Sequence, residues 1–187
     1  MKDHAELIVP DAAAWRAWLD ENEDASDGVW LTLAKKGTQT PTSLTYAQAL
    51  EEALCSGWID GRKHSIDAAT FGQHFTPRRA RSIWSQRNVA LVAELIEAER
   101  MRPRGFAEIE RAQADGRWDR AYAGSATIEV PDDLLAALRE APDAEAAFRA
   151  LGSAARYSVL FDVTTATSEK ARATRIARQV ARLGGAV

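Results

Sequence analysis

Apolar positions along the chain recur at helical spacing near both ends, and form short continuous runs between residues 29 and 75. Trp15, Trp18 and Leu19 fall at i, i+3 and i+4, which predicts an amphipathic helix opened by Pro10-Asp11, with Asp11 as its cap. The acidic stretch Asp20–Asp27 closes it. Val29-Trp30-Leu31-Thr32-Leu33 predicts a strand, and a run this apolar implies cover on both sides. Thr45-Tyr46-Ala47-Gln48 matches a capping box, so a second helix is expected to about Ser56, burying Ala49, Leu50, Ala53 and Leu54 and ending at a left-handed Gly57. Trp58–Gly61 begins a further strand region, with Asp60-Gly61 as its hairpin turn, and Thr70–Phe75 continues as strand until Pro77.

From Ser85 onward the pattern is helical. Ser85 is the expected cap, Trp84 packs on Val89, and Val89, Val92, Leu95 and Ile96 form the stripe. Pro103 breaks this helix, and Phe106–Ala114 forms the next. Gly124–Val130 has no helical periodicity and reads as a linker. Beyond it Pro131-Asp132-Asp133 opens a helical series, divided by Pro142, Gly152 and Thr164–Ser168, whose last member runs Glu169–Leu183. The expected architecture is α+β and mostly helical. A small mixed sheet lies in an N-terminal domain, residues 1–124, and an all-helical module occupies residues 125–187.

Composition adds limits. The 187 residues are 46% hydrophobic and 27% charged, as in globular proteins. No apolar run approaches the roughly 18 residues of a membrane-spanning helix. The first dozen residues mix charged with apolar side chains, and Cys55 is the one cysteine, so a cytoplasmic setting is expected. Charge changes the picture more. Residues 1–60 carry 4 basic and 11 acidic side chains, residues 61–104 carry 9 and 4, and the remainder is nearly balanced. The middle segment is a basic island in an acidic chain.

That island supplies the candidate chemistry. Trp58, Asp60, Arg62, Lys63, Phe75, Arg78, Arg79, Arg81, Trp84 and Asn88 lie within about thirty residues, and ring faces beside guanidinium groups can stack aromatic ligands or clamp anions. Phe71 and Arg87 share the stretch. Two accounts stand side by side: a surface for a small anionic or aromatic ligand or peptide, or a core of aromatics whose arginines pair with the acidic N-terminal segment. A second function class is an enzyme on a small anionic or aromatic substrate, with Asp60 or His64 transferring a proton. A third is nonspecific nucleic-acid binding, which the pI of about 5.7 disfavours, although Arg172, Arg175 and Arg178 line one helix. Cys55 at a helix C-terminus reads as structural. His4, His64 and His74 show no ligand spacing, so no metal is expected, although pairing strands would bring His64 and His74 near Asp60. With no Gly-rich phosphate loop, no cofactor is expected.

The residues also carry a resemblance. Ser26-Asp27-Gly28-Val29-Trp30-Leu31, Ala34-Lys35-Lys36, Leu44-Thr45-Tyr46-Ala47, Glu51-Glu52-Ala53-Leu54-Cys55 and Gly57-Trp58-Ile59-Asp60-Gly61 begin a series. It continues through Phe75-Thr76-Pro77-Arg78-Arg79, Ile83-Trp84-Ser85, Asn88, Gly116-Arg117-Trp118 and Val130-Pro131-Asp132-Asp133-Leu134. This series resembles the YdeI/OmpD-associated, or bacteriocin-protection, family over nearly the whole chain. Arg156-Tyr157 and Arg172–Ile176 match that family's helical module, while Ala166-Thr167 departs from its usual Ala-Lys. The resemblance implies a role in resistance to antibacterial peptides and an association with an outer-membrane porin, and it supplies no catalytic residues to carry over. Together these readings lead to the expectation of a non-enzymatic binding protein, protective under antibacterial-peptide or envelope stress.

Overall fold

The computed structural model describes residues 5–185; His4 lies outside them. The chain divides into two compact units, one comprising residues up to Ile83 together with Asn88–Asp119, the other Trp84–Arg87 together with the chain from Arg120 onward. As expected, the architecture is α+β, with one small mixed sheet in the N-terminal part and helices beyond it.

The first unit contains β1 (Glu6–Leu7), α1 (Ala12–Asn22), β2 (Val29–Ala34), α2 (Tyr46–Cys55), β3 (Trp58–Ser65), β4 (Thr70–Pro77), most of α3 (Gln86–Glu97) and α4 (Pro103–Ala114). Local chemistry sets the helix starts. The Asp11 carboxylate accepts from the Ala14 N–H at 2.9 Å, and Thr45 with Gln48 forms the reciprocal capping box. Pro103 opens α4 at its first turn rather than merely ending α3, because that position needs no N–H. Gly57 has φ +69, and a Cβ there would meet the Arg104 carbonyl oxygen at 3.1 Å.

The sheet runs in the order β1-β2-β4-β3, with β1 parallel to β2 and the other pairs antiparallel. Registers Val29↔Phe75 and Leu31↔Gln73 set one face, and Trp30↔His74 and Thr32↔Gly72 set the other. On the first face α1 and α2 form a roof. Trp15, Leu19, Ala49 and Ala53 pack there against Val29, Leu31, Leu33, Trp58 and Phe75. Trp15 stacks on Trp18 at 5.2 Å, and Trp58 meets both edge-on at 6.5 and 5.8 Å. Each such ring buries on the order of 150–250 Å², so this cluster dominates the stability of the unit. The second face lies outside this cluster: Thr32 and Ala34 are buried there and Trp30 is half-buried, so much of the cover expected of β2 on both sides is present.

The hairpin also differs from expectation. Asp60-Gly61 is not its turn. β3 continues to Ser65, and the reversal comes at Ile66–Ala69, where Asp67 accepts from the Ala69 and Thr70 N–H groups at 2.8 and 2.7 Å. Between Asp60 and Lys63 the register slips: Asp60 faces Phe75 but Lys63 faces Gln73, so three steps on β3 match two on β4. Such a bulge frees carbonyl groups from the ladder. The buried Gln73 carboxamide satisfies two of them, donating to the Gly61 and Arg62 carbonyls at 2.9 and 3.2 Å.

The second unit holds α5 (Asp132–Arg139), α6 (Pro142–Ala150), α7 (Ser153–Thr164) and α8 (Glu169–Leu183) around Leu134, Leu138, Phe148, Val159, Leu160, Val163 and Ile176. Asp132 and Asp133 sit in the first turn of α5, where the helix dipole favours anions, and Ser168 caps α8 through the Ala171 N–H. Tyr122 donates its backbone N–H to the Trp84 carbonyl at 3.0 Å, which ties Trp84 into this unit.

Candidate functional site

The ten candidate residues do not stay together. Trp58 and Phe75, both at 0% exposure, are core side chains under the helical roof, because their register positions face α1 and α2. The Trp58 indole N–H donates to the Glu23 carbonyl at 3.3 Å. Arg78 is 4% exposed; its guanidinium donates to the Ile83 carbonyl at 3.2 Å and its backbone N–H to the Gly57 carbonyl at 3.0 Å. Asn88 is buried in α3, and Trp84 is buried in the second unit. Arg62, Lys63, Arg79 and Arg81 are exposed. Asp60 is half-buried and accepts from the Tyr46 hydroxyl at 2.9 Å. The candidate rings Trp58 and Trp84 are therefore packing residues of two different units, and Arg62, Lys63, Arg79 and Arg81 are what remains at the surface.

The basic island itself divides in two. Its far end pairs with the acidic N-terminal segment. Glu52, 3% exposed on α2, accepts from Arg16 in bidentate fashion at 2.9 and 2.6 Å and from Arg100 at 2.7 Å, with Arg102 at 3.7 Å. Arg100 also binds Glu51 at 2.6 Å, Arg102 binds Asp20 at 2.7 Å, and Arg104 binds Asp24. Burial pushes the Glu52 carboxyl up, but hydrogen bonds and charge from Arg16 and Arg100 outweigh it and hold the group below its ordinary value. Cys55, one turn further along α2, has its thiol pushed up to about 11 by burial and by the Glu52 charge. A thiol held in that state is a poor nucleophile, so Cys55 is a structural side chain.

The open face of the sheet gathers rings that the sequence reading did not join into a site. Trp30 is half-buried, with His64 at 4.6 Å on one side and His74 at 4.8 Å on the other, centroid to centroid. His64 lies across Gly72, where a Cβ would come within 2.3 Å of the imidazole, so only glycine admits the ring in this position. Thr32 is buried beside Gly72 on the same face. Strand pairing thus brings the two histidines to one patch, with Trp30 between them. Asp60 does not join them: it shares the roofed face with Phe75, whereas His64 shares the open face with Gly72. The Asp60–His64 proton-transfer pair is accordingly separated by the sheet. Among the described residues no group of three or more His, Cys, Asp or Glu side chains could hold a metal ion.

In the second unit the arginines of α8 are engaged. Arg172 makes a bidentate pair with Asp133 at 2.5 and 2.8 Å. Arg178 binds Asp162 at 2.8 Å, and Arg175 donates to the Asp162 carbonyl at 2.6 Å. The Asp133 carboxyl is held below its ordinary value chiefly by Arg172. This pairing removes much of the cationic stripe that a phosphate backbone would need.

Comparison with family models then separates the chain along similar lines. Residues 7–108 match a domain of unknown function, DUF8412, and residues 127–184 match the model described as bacteriocin-protection, YdeI or OmpD-associated. The chain belongs to the DUF8412 family and carries a YdeI/OmpD-associated module. The expected YdeI/OmpD kinship is borne out in the helical module. Most of the upstream motifs that carried the resemblance fall in the DUF8412 match. No curated protein and no solved structure matched. Among the described residues no helix of this DUF8412 protein is long and apolar enough to cross a membrane.

Proposed function

We propose that this YdeI/OmpD-associated protein is a non-enzymatic, cytoplasmic binding protein, protective under antibacterial-peptide or envelope stress. Its ligand is a small anionic or aromatic molecule, taken on the open face of the DUF8412 sheet. The observation that carries this reading is half-buried Trp30 held between His64 and His74 on the sheet face opposite the α1–α2 roof. An indole offers a flat π-surface, and each imidazole adds a donor or acceptor at the rim of that surface. Arg62 and Lys63 precede His64 on the same edge strand, but Lys63 pairs with Gln73 on the roofed face and Glu6 lies opposite Trp30 on β1, so the rings rather than net charge carry the reading.

The test is calorimetric titration of the full chain with salicylate, an aromatic carboxylate, beside acetate and tryptamine as non-aromatic and cationic controls. Salicylate is expected to bind more tightly than either control. Trp30→Ala should weaken that binding at least tenfold, and Gly72→Ala, which displaces the His64 ring, should weaken it several-fold. Unchanged salicylate affinity in folded Trp30→Ala would overturn the assignment.

A further inference from the structure

In the second unit an open groove of about 880 Å³ runs between α5 and α8. Ile176 and Val180 form its floor, and Ala137, Ala141, Ala173 and Ala177 form its walls. The α8 side extends from Glu169 to Ala181, about 18 Å at 1.5 Å per residue, or a little over three helical turns. Alanine walls let a second backbone approach closely, and a trough this long and apolar fits the face of a helix better than a small molecule.

The rim states what that helix must carry. Of its charged residues, Asp133 and Arg172 neutralise each other in the bidentate pair. Glu140 and Glu169 are exposed, and neither side chain has an ion-pair or hydrogen-bond partner among the described residues. Glu169 opens α8, close to the Asp133–Arg172 pair, and Glu140 caps the far end of α5. The groove therefore has an apolar floor and one uncompensated negative charge toward each end, about two helical turns apart along α5. We propose that it docks an amphipathic helix of a partner protein, small and apolar on its buried face, with a Lys or Arg at either end of that face. This docking site is independent of the sheet-face site, since the two lie in different units.

Fluorescence anisotropy of the full chain tests it. The probes are a labelled 18-residue helical peptide whose Ala and Leu face carries Lys at two positions seven residues apart, and its counterpart with Glu in place of Lys. The Lys peptide should bind saturably at one site, and the Glu peptide should not. Ala177→Arg, which fills the groove, should weaken binding more than tenfold. The double change Glu140→Lys with Glu169→Lys, both at exposed positions, should shift preference to the Glu peptide. Glu110→Lys, an exposed change in the other unit, should leave affinity within twofold. The proposal is overturned if Ala177→Arg binds as well as the parent, if the charge reversal does not change the preferred peptide, or if Glu110→Lys costs as much as the groove changes. A concentration-dependent dimer that Ala177→Arg abolishes would assign the groove to a second copy of this chain and overturn it equally.

Discussion

The two faces of the DUF8412 sheet use the same residue types to different ends. Under the roof, Trp15, Trp18, Trp58 and Phe75 interlock at ring separations of 5.2 to 6.5 Å and hold α1 and α2 onto the strands. On the open side, the rings beside Trp30 are the imidazoles of His64 and His74, with Glu6 opposite it on β1. An aromatic side chain thus reports a core or a contact surface according to which way its register points, and composition alone does not distinguish them.

Pairs of substitutions sharpen this contrast. Trp58→Ala should cost about 3–5 kcal/mol in urea unfolding, the range for removing a fully buried large ring. Trp30→Ala should cost less than about 1 kcal/mol, and equal losses would erase the distinction between the faces. Glu52→Ala comes next, at about 2–3 kcal/mol, since it leaves three arginines without their shared carboxylate while two of them keep other partners and solvent. The same group predicts an acid response. Its folded-state pKa lies below the ordinary 4.5, so the unfolded chain binds the proton more readily. The stabilisation is present above about pH 4.5 and is lost as the pH falls through the folded value. Glu52→Gln should flatten that part of the pH–stability profile, and an unchanged slope would show that the pairing contributes nothing.

Smaller effects follow at the hairpin. Gln73→Leu should cost about 1–2 kcal/mol because the bulge carbonyls lose their donor. Arg78→Ala should cost about 1–2 kcal/mol through lost packing and hydrogen bonding, whereas Arg79→Ala should stay within about 0.5 kcal/mol. Neighbours in sequence with such different costs would confirm by thermal melts that the basic segment is part core and part surface.

Locally determined features were legible in the sequence. Asp11, the Thr45–Gln48 box, Gly57 and the Glu169–Leu183 helix all follow from interactions within a few residues. What escaped depended on distant partners. The patterning of β2 held a signal for the open face, since Val29, Leu31 and Leu33 are aliphatic while Trp30 and Thr32 alternate with them. Glu52 likewise sits in the same helical stripe as Ala49 and Ala53, where a carboxylate must find cations. Which arginines would answer it, at positions 16, 100 and 102, is fixed only by how α2 meets the segments before and after it.

The extra residue at Asp60–Lys63 acts as a phase shift in β3. Counting by twos from Asp60 would have sent His64 under the roof and Lys63 to the open side. The inserted step exchanges them, so that an imidazole, not an ammonium, comes to rest against Trp30. Shortening this strand by one residue would therefore alter the patch and the core together, and neither could evolve freely at that point without the other.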